Sequence, residues 1–241
     1  VIIEKTPDDL DVYDPKKNYI VCANHFQSPR LSKTKMNIEQ ENESASMYRY
    51  ERLTQLLDAN GKNTVQKTIN ILRDQKGLNG ADIGMGNEKA INQLIAHHSI
   101  VFEPKKLLVW VSTSPWQLGK YVAYDLKKIF ALHGLKENIE VVDSSLTIAP
   151  DSFLVSPAYN NFILFRTLKQ QILDGGTVNI SSLLESNPGF YDTYLLAGDY
   201  FYKHKNYAAA LRNYETALTK VIATKKEEDH IRGQIKKIKS Q

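Results

Sequence analysis

The most informative stretch for predicting the fold and the functional site is YIVCANHFQSP, residues 19–29. Its first five residues form a nearly continuous apolar run, which is typical of a strand covered on both faces. The polar residues and the proline that follow end this run. Because strand ends that face loops often carry catalytic polar groups, Asn24 and His25 are candidate site residues. The alternative is a strand end whose asparagine caps a turn.

Downstream of this stretch, residues 43–60 are predicted to form a helix. Three leucines between positions 53 and 57 define an apolar stripe at helical spacing, and Gly61 offers a stop. Arg49 and Ser46 lie on the side of that stripe. An unpaired buried charge is very costly, so Arg49 needs a carboxylate or carbonyl partner. It is either a site residue or a structural arginine that pins the helix to a loop, whereas Arg52 lies about 100° away and reads as a surface side chain.

The remainder of the first 150 residues mixes short strands, helices and loops. Val1, Ile2 and Ile3 read as a strand, and the polar residues 31–42 read as a loop. Residues 98–113 predict a β-hairpin rich in β-branched and aromatic side chains. The predicted helices cover residues 64–75 and 126–132, with a glycine-rich loop over 76–88 between them. Residues 114–160 otherwise have no regular pattern and indicate a boundary between two parts of the chain. We therefore predict one domain over residues 1–150 and a helical region over residues 151–241.

The most specific pattern in the helical region covers residues 191–224. It matches the 34-residue helix–turn–helix tetratricopeptide pattern, in which small residues stand where the two helices approach closely. The residues that fill the pattern are Tyr194, Gly198, Phe201, Ala210, Tyr214 and Ala217, whereas Ile222 stands where proline is usual. Since about three repeats are needed for a stable array, a docking hairpin is favoured over a peptide-binding groove. Residues 162–185 are a candidate for a degenerate helix pair, and residues 225–241 for a charged helix or frayed end.

The amino-acid composition and the absence of certain motifs in the sequence argue against several classes of protein. The 241 residues are 42% hydrophobic and 24% charged, with a net charge of +4 and one cysteine. A globular chain is expected, without an intrachain disulfide. No concentrated basic face points to nucleic acid, and no run approaches the ~20 apolar residues of a membrane span. Neither a phosphate-binding loop nor a metal-ligand spacing occurs, and Cys22, placed mid-strand, is expected to be a buried thiol.

The sequences of the predicted strand at residues 19–23 and of the predicted helix at residues 43–60 resemble those of a known protein family. The runs IIEKTP (residues 2–7), VCANHF (21–26) and ESAS to RYERL (43–53) resemble acyl-coenzyme A:6-aminopenicillanic acid acyltransferases. This is peptidase family C45, related to the choloylglycine hydrolases, and the 99–111 hairpin also fits its pattern. The resemblance covers roughly residues 1–125. It implies an N-terminal-nucleophile hydrolase with an αββα sandwich, so an α+β fold, and it calls for no cofactor.

The resemblance also implies a mechanism. Family members cut themselves to expose an N-terminal cysteine, which attacks an amide or thioester carbonyl and uses its own α-amine as general base. Asn24 would then help to hold the oxyanion, and Arg49 would orient the nucleophile. We place His25, Phe26 and Arg52 around the substrate, which would be a small amide or acyl compound.

The sequence departs from the family in one respect: the nucleophilic cysteine should precede everything in this chain, and Val1 cannot replace it. We therefore expect a C-terminal portion, whether a truncated form, a processing product or one chain of a split protein, which is inactive alone. The strand edge at Val1, Ile2 and Ile3 is expected to pair with the missing portion or with another copy, because open edges seek pairing. The alternative is a non-catalytic, tetratricopeptide-like module with a peptide partner. Periplasmic and cytoplasmic locations both stay open.

Overall fold

The computed structural model describes residues 1–134 and 139–240, and within these ranges the chain has an α+β fold. The strands are β1 (Ile2–Lys5), β2 (Leu10–Tyr13), β3 (Ile100–Glu103), β4 (Leu108–Ser112) and β5 (Tyr121–Asp125). The helices are α1 (Lys35–Glu43), α2 (Ser46–Asn60), α3 (Val65–Leu72), α4 (Leu126–Phe130), α5 (Pro157–Leu173), α6 (Ile180–Ser186), α7 (Tyr191–Lys203), α8 (Tyr207–Ala217) and α9 (Lys225–Lys239). The predicted α+β class is confirmed, whereas membership of a two-sheet sandwich stays a prediction. Residues 135–138 of the predicted boundary region and Gln241 of the predicted tail lie outside the described residues.

The two N-terminal strands form an antiparallel ribbon in which Ile3 lies opposite Val12. Successive side chains of a strand point to opposite faces, and here Ile3 and Val12 share an exposed face while Glu4 is buried on the other. Each carboxylate oxygen of Glu4 accepts a backbone N–H 2.8 Å away, one from Gln27 and one from Ser28. The buried glutamate thus ties the ribbon to the segment that carries the candidate site.

Three predictions for the first part are wrong. Residues 19–23 are not a strand: they have no regular secondary structure, and both Ile20 and Cys22 are exposed, so the expectation of a buried thiol also fails. A strand needs partners for its backbone groups, and this run is not among the paired segments of the described chain.

Residues 31–42 are not a loop, because α1 occupies most of them. That helix is held by the buried Asn37, which bonds the backbone of Phe26, and it lacks the apolar stripe that sequence patterns detect.

The predicted helices and hairpin of the first part are present. α2 ends before Gly61, which has a φ of +59°, and α3 begins after Thr64, whose side chain accepts the N–H of Lys67. β3 and β4 form the predicted hairpin, and β5, which the sequence did not predict, joins β4 to make a three-stranded antiparallel sheet. Trp110 and Tyr121 of this sheet pack with Ile69 of α3 in a small core.

The helical part contains the predicted hairpin, made by α7 and α8. Gly198 of α7 lies directly against Tyr214 of α8, because a Cβ at position 198 would stand 2.5 Å from the Cε1 atom of Tyr214. This is the close approach that the small residue of the pattern predicts. α5 and α6 occupy the region of the predicted degenerate pair. The tail forms α9, with Ile231 fully buried in the same core as Tyr214.

The two parts share a core. Leu94 and Leu118 of the first part belong to the same buried cluster as Phe162 and Phe165 of α5. Segment 82–94 lies against the helical part, since Gly84 is packed on Phe190. The division at residue 150 therefore stays a prediction. In the described part of the chain, no helix combines the length and apolar character needed to cross a membrane.

Candidate active site

The candidate site forms where the loop at Asn24 meets the first turns of α2. The Nη2 atom of Arg49 donates to Oδ1 of Asn24 at 2.5 Å, and its Nη1 atom donates to the backbone oxygen of Glu88 at 2.9 Å. The expectation that Arg49 needs a carbonyl partner is confirmed. Because only the oxygen of an amide can accept from a guanidinium, the Nδ2 atom of Asn24 points away from Arg49.

His25 makes a second link to the same helix. Its Nδ1 atom lies 2.8 Å from Oγ of Ser46, the first residue of α2, and its ring packs edge-on against Tyr50 at 5.5 Å between centroids. Ser46 is fully buried, and His25 is 9% exposed. Consecutive loop residues therefore contact Ser46 and Arg49, which are one helical turn apart. The two links together fix the direction of the Asn24 side chain.

Partial burial sets the electrostatics of the site. Desolvation lowers the pKa of Arg49, with Glu88 opposing the shift. Desolvation also lowers the pKa of His25, with opposition from the carboxylates of Glu41 and Glu4 and a further lowering from Arg49. Burial disfavours the charged form of a base, so His25 is held as a neutral imidazole while Arg49 remains the local positive charge.

Asn24 and His25 line a groove of about 510 Å³. One wall is β1, the opposite wall is the segment 22–26, and the third side is the start of α1. Its lining combines apolar residues such as Ile3, Met36 and Phe26 with polar and charged ones. This volume is in the range of small-molecule sites. Among the side chains that the structure describes, no group of three or more His, Cys, Asp or Glu is placed to hold a metal ion.

The structure brings Asn24, His25, Phe26 and Arg49 together but places Arg52 elsewhere. Arg52 is not a surface residue, which corrects the prediction. Its side chain is only 10% exposed, and it forms a two-point ion pair with Asp74 at 2.8 and 2.9 Å. Its guanidinium is therefore used to join α2 to the end of α3. The substrate-binding roles of His25, Phe26 and Arg52 stay predictions.

Several residues that shape the site were not found from the sequence. Glu88 contributes its backbone oxygen to Arg49, Asn37 holds the backbone of Phe26, and Glu4 fixes the segment after it. Backbone acceptors leave no side-chain signal, because any residue type supplies them. Glu4 lies in the apolar start of β1, and an acidic residue at a position facing inward is the one signal that could have marked it.

Residues 1–113 match the family model of acyl-coenzyme A:6-aminopenicillanic acid acyl-transferase. The resemblance seen in the sequence is therefore confirmed over this segment, which is slightly less than half of the chain. Over these residues the chain is similar to a family described as acyl-transferases. Comparisons with curated proteins and with solved structures found no match.

Proposed function

We propose that this chain supplies the oxyanion-binding half of a cysteine-dependent active site that hydrolyses or transfers acyl groups of linear amides or thioesters. The observation that carries the proposal is the 2.5 Å bond between Arg49 Nη2 and Asn24 Oδ1. It holds the amide of Asn24 in one orientation beside the groove. Preorganised donors of this kind stabilise the charge that develops on a carbonyl oxygen when a nucleophile attacks.

The free donor of this pair is Nδ2 of Asn24. Among the described residues this nitrogen has no hydrogen-bond acceptor, while the oxygen of the same amide is engaged by Arg49. The half-buried guanidinium adds positive charge behind the amide, which strengthens its attraction for an oxyanion. Asn24 is thus the oxyanion donor, and Arg49 is the residue that orients and polarises it.

The attacking thiol is proposed to come from a cysteine other than Cys22. A nucleophile needs an adjacent base or an activating environment. Among the described residues, the sulfur of Cys22 has only the backbone oxygen of Ala23 as a hydrogen-bond partner, at 3.8 Å, and Nδ1 of His25 is engaged by Ser46. Self-cleavage that exposes a cysteine with a free α-amine, as the family resemblance implies, would supply both nucleophile and base. The open edge of β1 is the proposed place of contact with the segment that carries it.

The test uses the protein produced from its whole gene and a panel of acyl p-nitroanilides and acyl thioesters. Replacing Asn24→Ala should lower kcat by roughly 100- to 1,000-fold with little change in KM, because an oxyanion donor acts mainly in the transition state. Arg49→Lys should also lower kcat, since a lysine cannot hold Asn24 and the Glu88 carbonyl with one planar group. Asn70→Ala is the matched control: within the part of the chain that the structure describes, the side chain of this exposed asparagine of α3 accepts one hydrogen bond, from Gln66.

Turnover that is unchanged in Asn24→Ala would overturn the oxyanion role. Intact mass and N-terminal sequencing of the same preparation test the nucleophile, because self-processing should leave a fragment that begins with cysteine. A single uncut chain without such a cysteine would contradict this part of the proposal.

The second candidate is the non-catalytic interaction module. The α7–α8 hairpin favours it, but the packing of segment 82–94 against the helical part supports docking of the hairpin on its own chain. Asn87 Nδ2 donates to the backbone oxygen of Val221 at 2.8 Å, and Met85 exchanges two backbone bonds with the side chain of Asn187 at 3.0 and 2.8 Å. A peptide partner at the hairpin stays the alternative, to be preferred if the whole protein shows no acyl turnover.

A further inference from the structure

A cavity of about 620 Å³ lies between the first part of the chain and the helical part. Its walls come from the end of α3 and the segment after it, from the start of α5, and from the end of α6 with the turn that follows. It shares no lining residue with the groove at Asn24. Its volume falls within the roughly 300–1,000 Å³ of small-molecule sites, which often form where two parts of a protein meet.

One wall of this cavity is fixed by close backbone contacts. Asn187, which is 1% exposed, exchanges two hydrogen bonds with the backbone of Met85. Gly189 lies against Asp82, because a Cβ at position 189 would stand 3.0 Å from Oδ2 of Asp82. The other oxygen of this carboxylate, Oδ1, accepts the N–H of Gly84 at 3.2 Å. The carboxylate of Asp82 is therefore held in one place at the cavity wall.

Two carboxylates of the lining lack a cationic partner. Within residues 1–134 and 139–240, neither Asp82 nor Glu185 forms an ion pair. Of the other two acidic residues in the lining, Asp74 is paired with Arg52 outside it, and Asp151 lies 4.0 Å from Nε of the lining arginine at position 73. Unpaired carboxylates attract ammonium groups, and the attraction is stronger beside a partly enclosed cavity than in bulk water.

The same lining also offers a positively charged donor. The side chain of Arg73 is only 6% exposed, and its Nε and Nη2 atoms donate to the backbone oxygens of Gln117, Gly119 and Ala149. Among the described residues its Nη1 atom has no acceptor. Burial lowers the pKa of Arg73, but a guanidinium keeps its charge in proteins. A buried cation with an unused donor favours an anionic group beside it.

We propose that this cavity binds a free basic amino acid, whose two ammonium groups contact Asp82 and Glu185 and whose carboxylate contacts Nη1 of Arg73. The balance of charge selects this class of ligand. Arg73 lies beside Asp151, and the exposed Lys76 offsets one of the two unpaired carboxylates, so the lining keeps a net negative charge. A compound with two ammonium groups and one carboxylate therefore complements the cavity better than an anion or a neutral zwitterion does.

Isothermal titration calorimetry of the 241-residue chain with L-lysine tests the site. Two analogues each remove one group of the ligand: cadaverine lacks the carboxylate, and ε-aminocaproate lacks the α-ammonium group. Each should bind roughly 10-fold more weakly than L-lysine, because each leaves a charged group of the cavity without its partner. Cadaverine that binds as tightly as L-lysine, or L-lysine that does not bind at about 10 mM, would overturn the proposal.

Substitutions that remove a charge and keep the size of the side chain sharpen the test. Asp82→Asn and Glu185→Gln should each raise the Kd for L-lysine roughly 10-fold, because a neutral amide replaces an ion-pair partner. Glu51→Gln is the matched control, since Glu51 of α2 is exposed and lies outside the cavity, and it should keep the wild-type Kd. An unchanged Kd in both cavity variants would overturn the proposal.

Nuclear magnetic resonance locates the bound ligand. The backbone amides of Gly84 and Gly189, both in the lining, should show the largest chemical-shift changes on addition of L-lysine. Changes centred on Asn24 and His25 would place the ligand in the other groove and would contradict the proposal. Because the two sites share no residue, failure of lysine binding would leave the proposed oxyanion role of Asn24 untouched.

Discussion

Asn24 shows how one hydrogen bond decides what a side chain can do. An amide carries a donor and an acceptor at nearly equivalent positions, so its chemistry depends on which end is engaged. Arg49 engages the oxygen at 2.5 Å, which leaves the nitrogen beside the groove. The exposed asparagine is thereby turned from a capping group into an oriented donor.

At His25, the lowered pKa has a consequence for stability. The unfolded chain binds a proton near the ordinary value of 6.5, whereas burial lowers the pKa in the folded protein. Below that value the unfolded state binds more protons than the folded state, so the free energy of unfolding falls as the pH drops. Urea unfolding of wild type should therefore show lower stability at pH ~5 than at pH ~7.5.

The variant His25→Gln should show a smaller loss of stability over the same pH range, because it removes one group whose protonation differs between the two states. His97→Gln is the matched control, since His97 is exposed and its replacement should leave the wild-type slope. The same pH dependence of the free energy of unfolding in His25→Gln and wild type would contradict the proposed contribution of His25.

At the scale of elements, the α7–α8 hairpin depends on the close approach at Gly198. A Cβ at this position would stand 2.5 Å from Cε1 of the fully buried Tyr214. Gly198→Ala should destabilise the protein by ~1–3 kcal/mol through overpacking, less the roughly 1 kcal/mol that alanine gains over glycine in a helix. Thermal unfolding followed by circular dichroism measures the difference.

Gly233→Ala is the control for this element. A Cβ at Gly233 of α9 meets nothing within 4 Å, so this substitution should be neutral or stabilising by up to about 1 kcal/mol. Equal stability changes in the two variants would show that helix propensity, and not the contact with Tyr214, governs Gly198.

At the scale of the whole molecule, the shared core predicts cooperative unfolding. Leu94 and Leu118 are buried with Phe162 and Phe165, and Nδ2 of Asn87 donates to the backbone oxygen of Val221 at 2.8 Å. Calorimetry should show one transition, because losing either part exposes the core of the other. Two separated transitions would instead support independent domains on either side of residue 150.

The correct and incorrect predictions differ in the range of the interactions on which they depend. The 98–113 hairpin and the α7–α8 pair were predicted because periodicity and small-residue spacing are local properties of the chain. Helix α1 was missed because Asn37 holds it through bonds to Phe26, eleven residues away. Arg52 was misjudged because its partner Asp74 lies beyond the end of the next helix, α3, and no pattern within one helix reveals such a partner.

The sequence alone determined the α+β class, the family resemblance and the candidate pair of Asn24 and Arg49. Composition, motif order and helical spacing are properties of the sequence itself, so they do not depend on the tertiary structure. Only the tertiary structure decided that Arg49 bonds the oxygen of Asn24 and that Arg52 is withdrawn into an ion pair. It also decided that residues 19–23 form no strand, with Ile20 and Cys22 exposed and Val21 buried. These features depend on which distant groups meet and on which backbone groups find partners, and both are settled by packing in three dimensions.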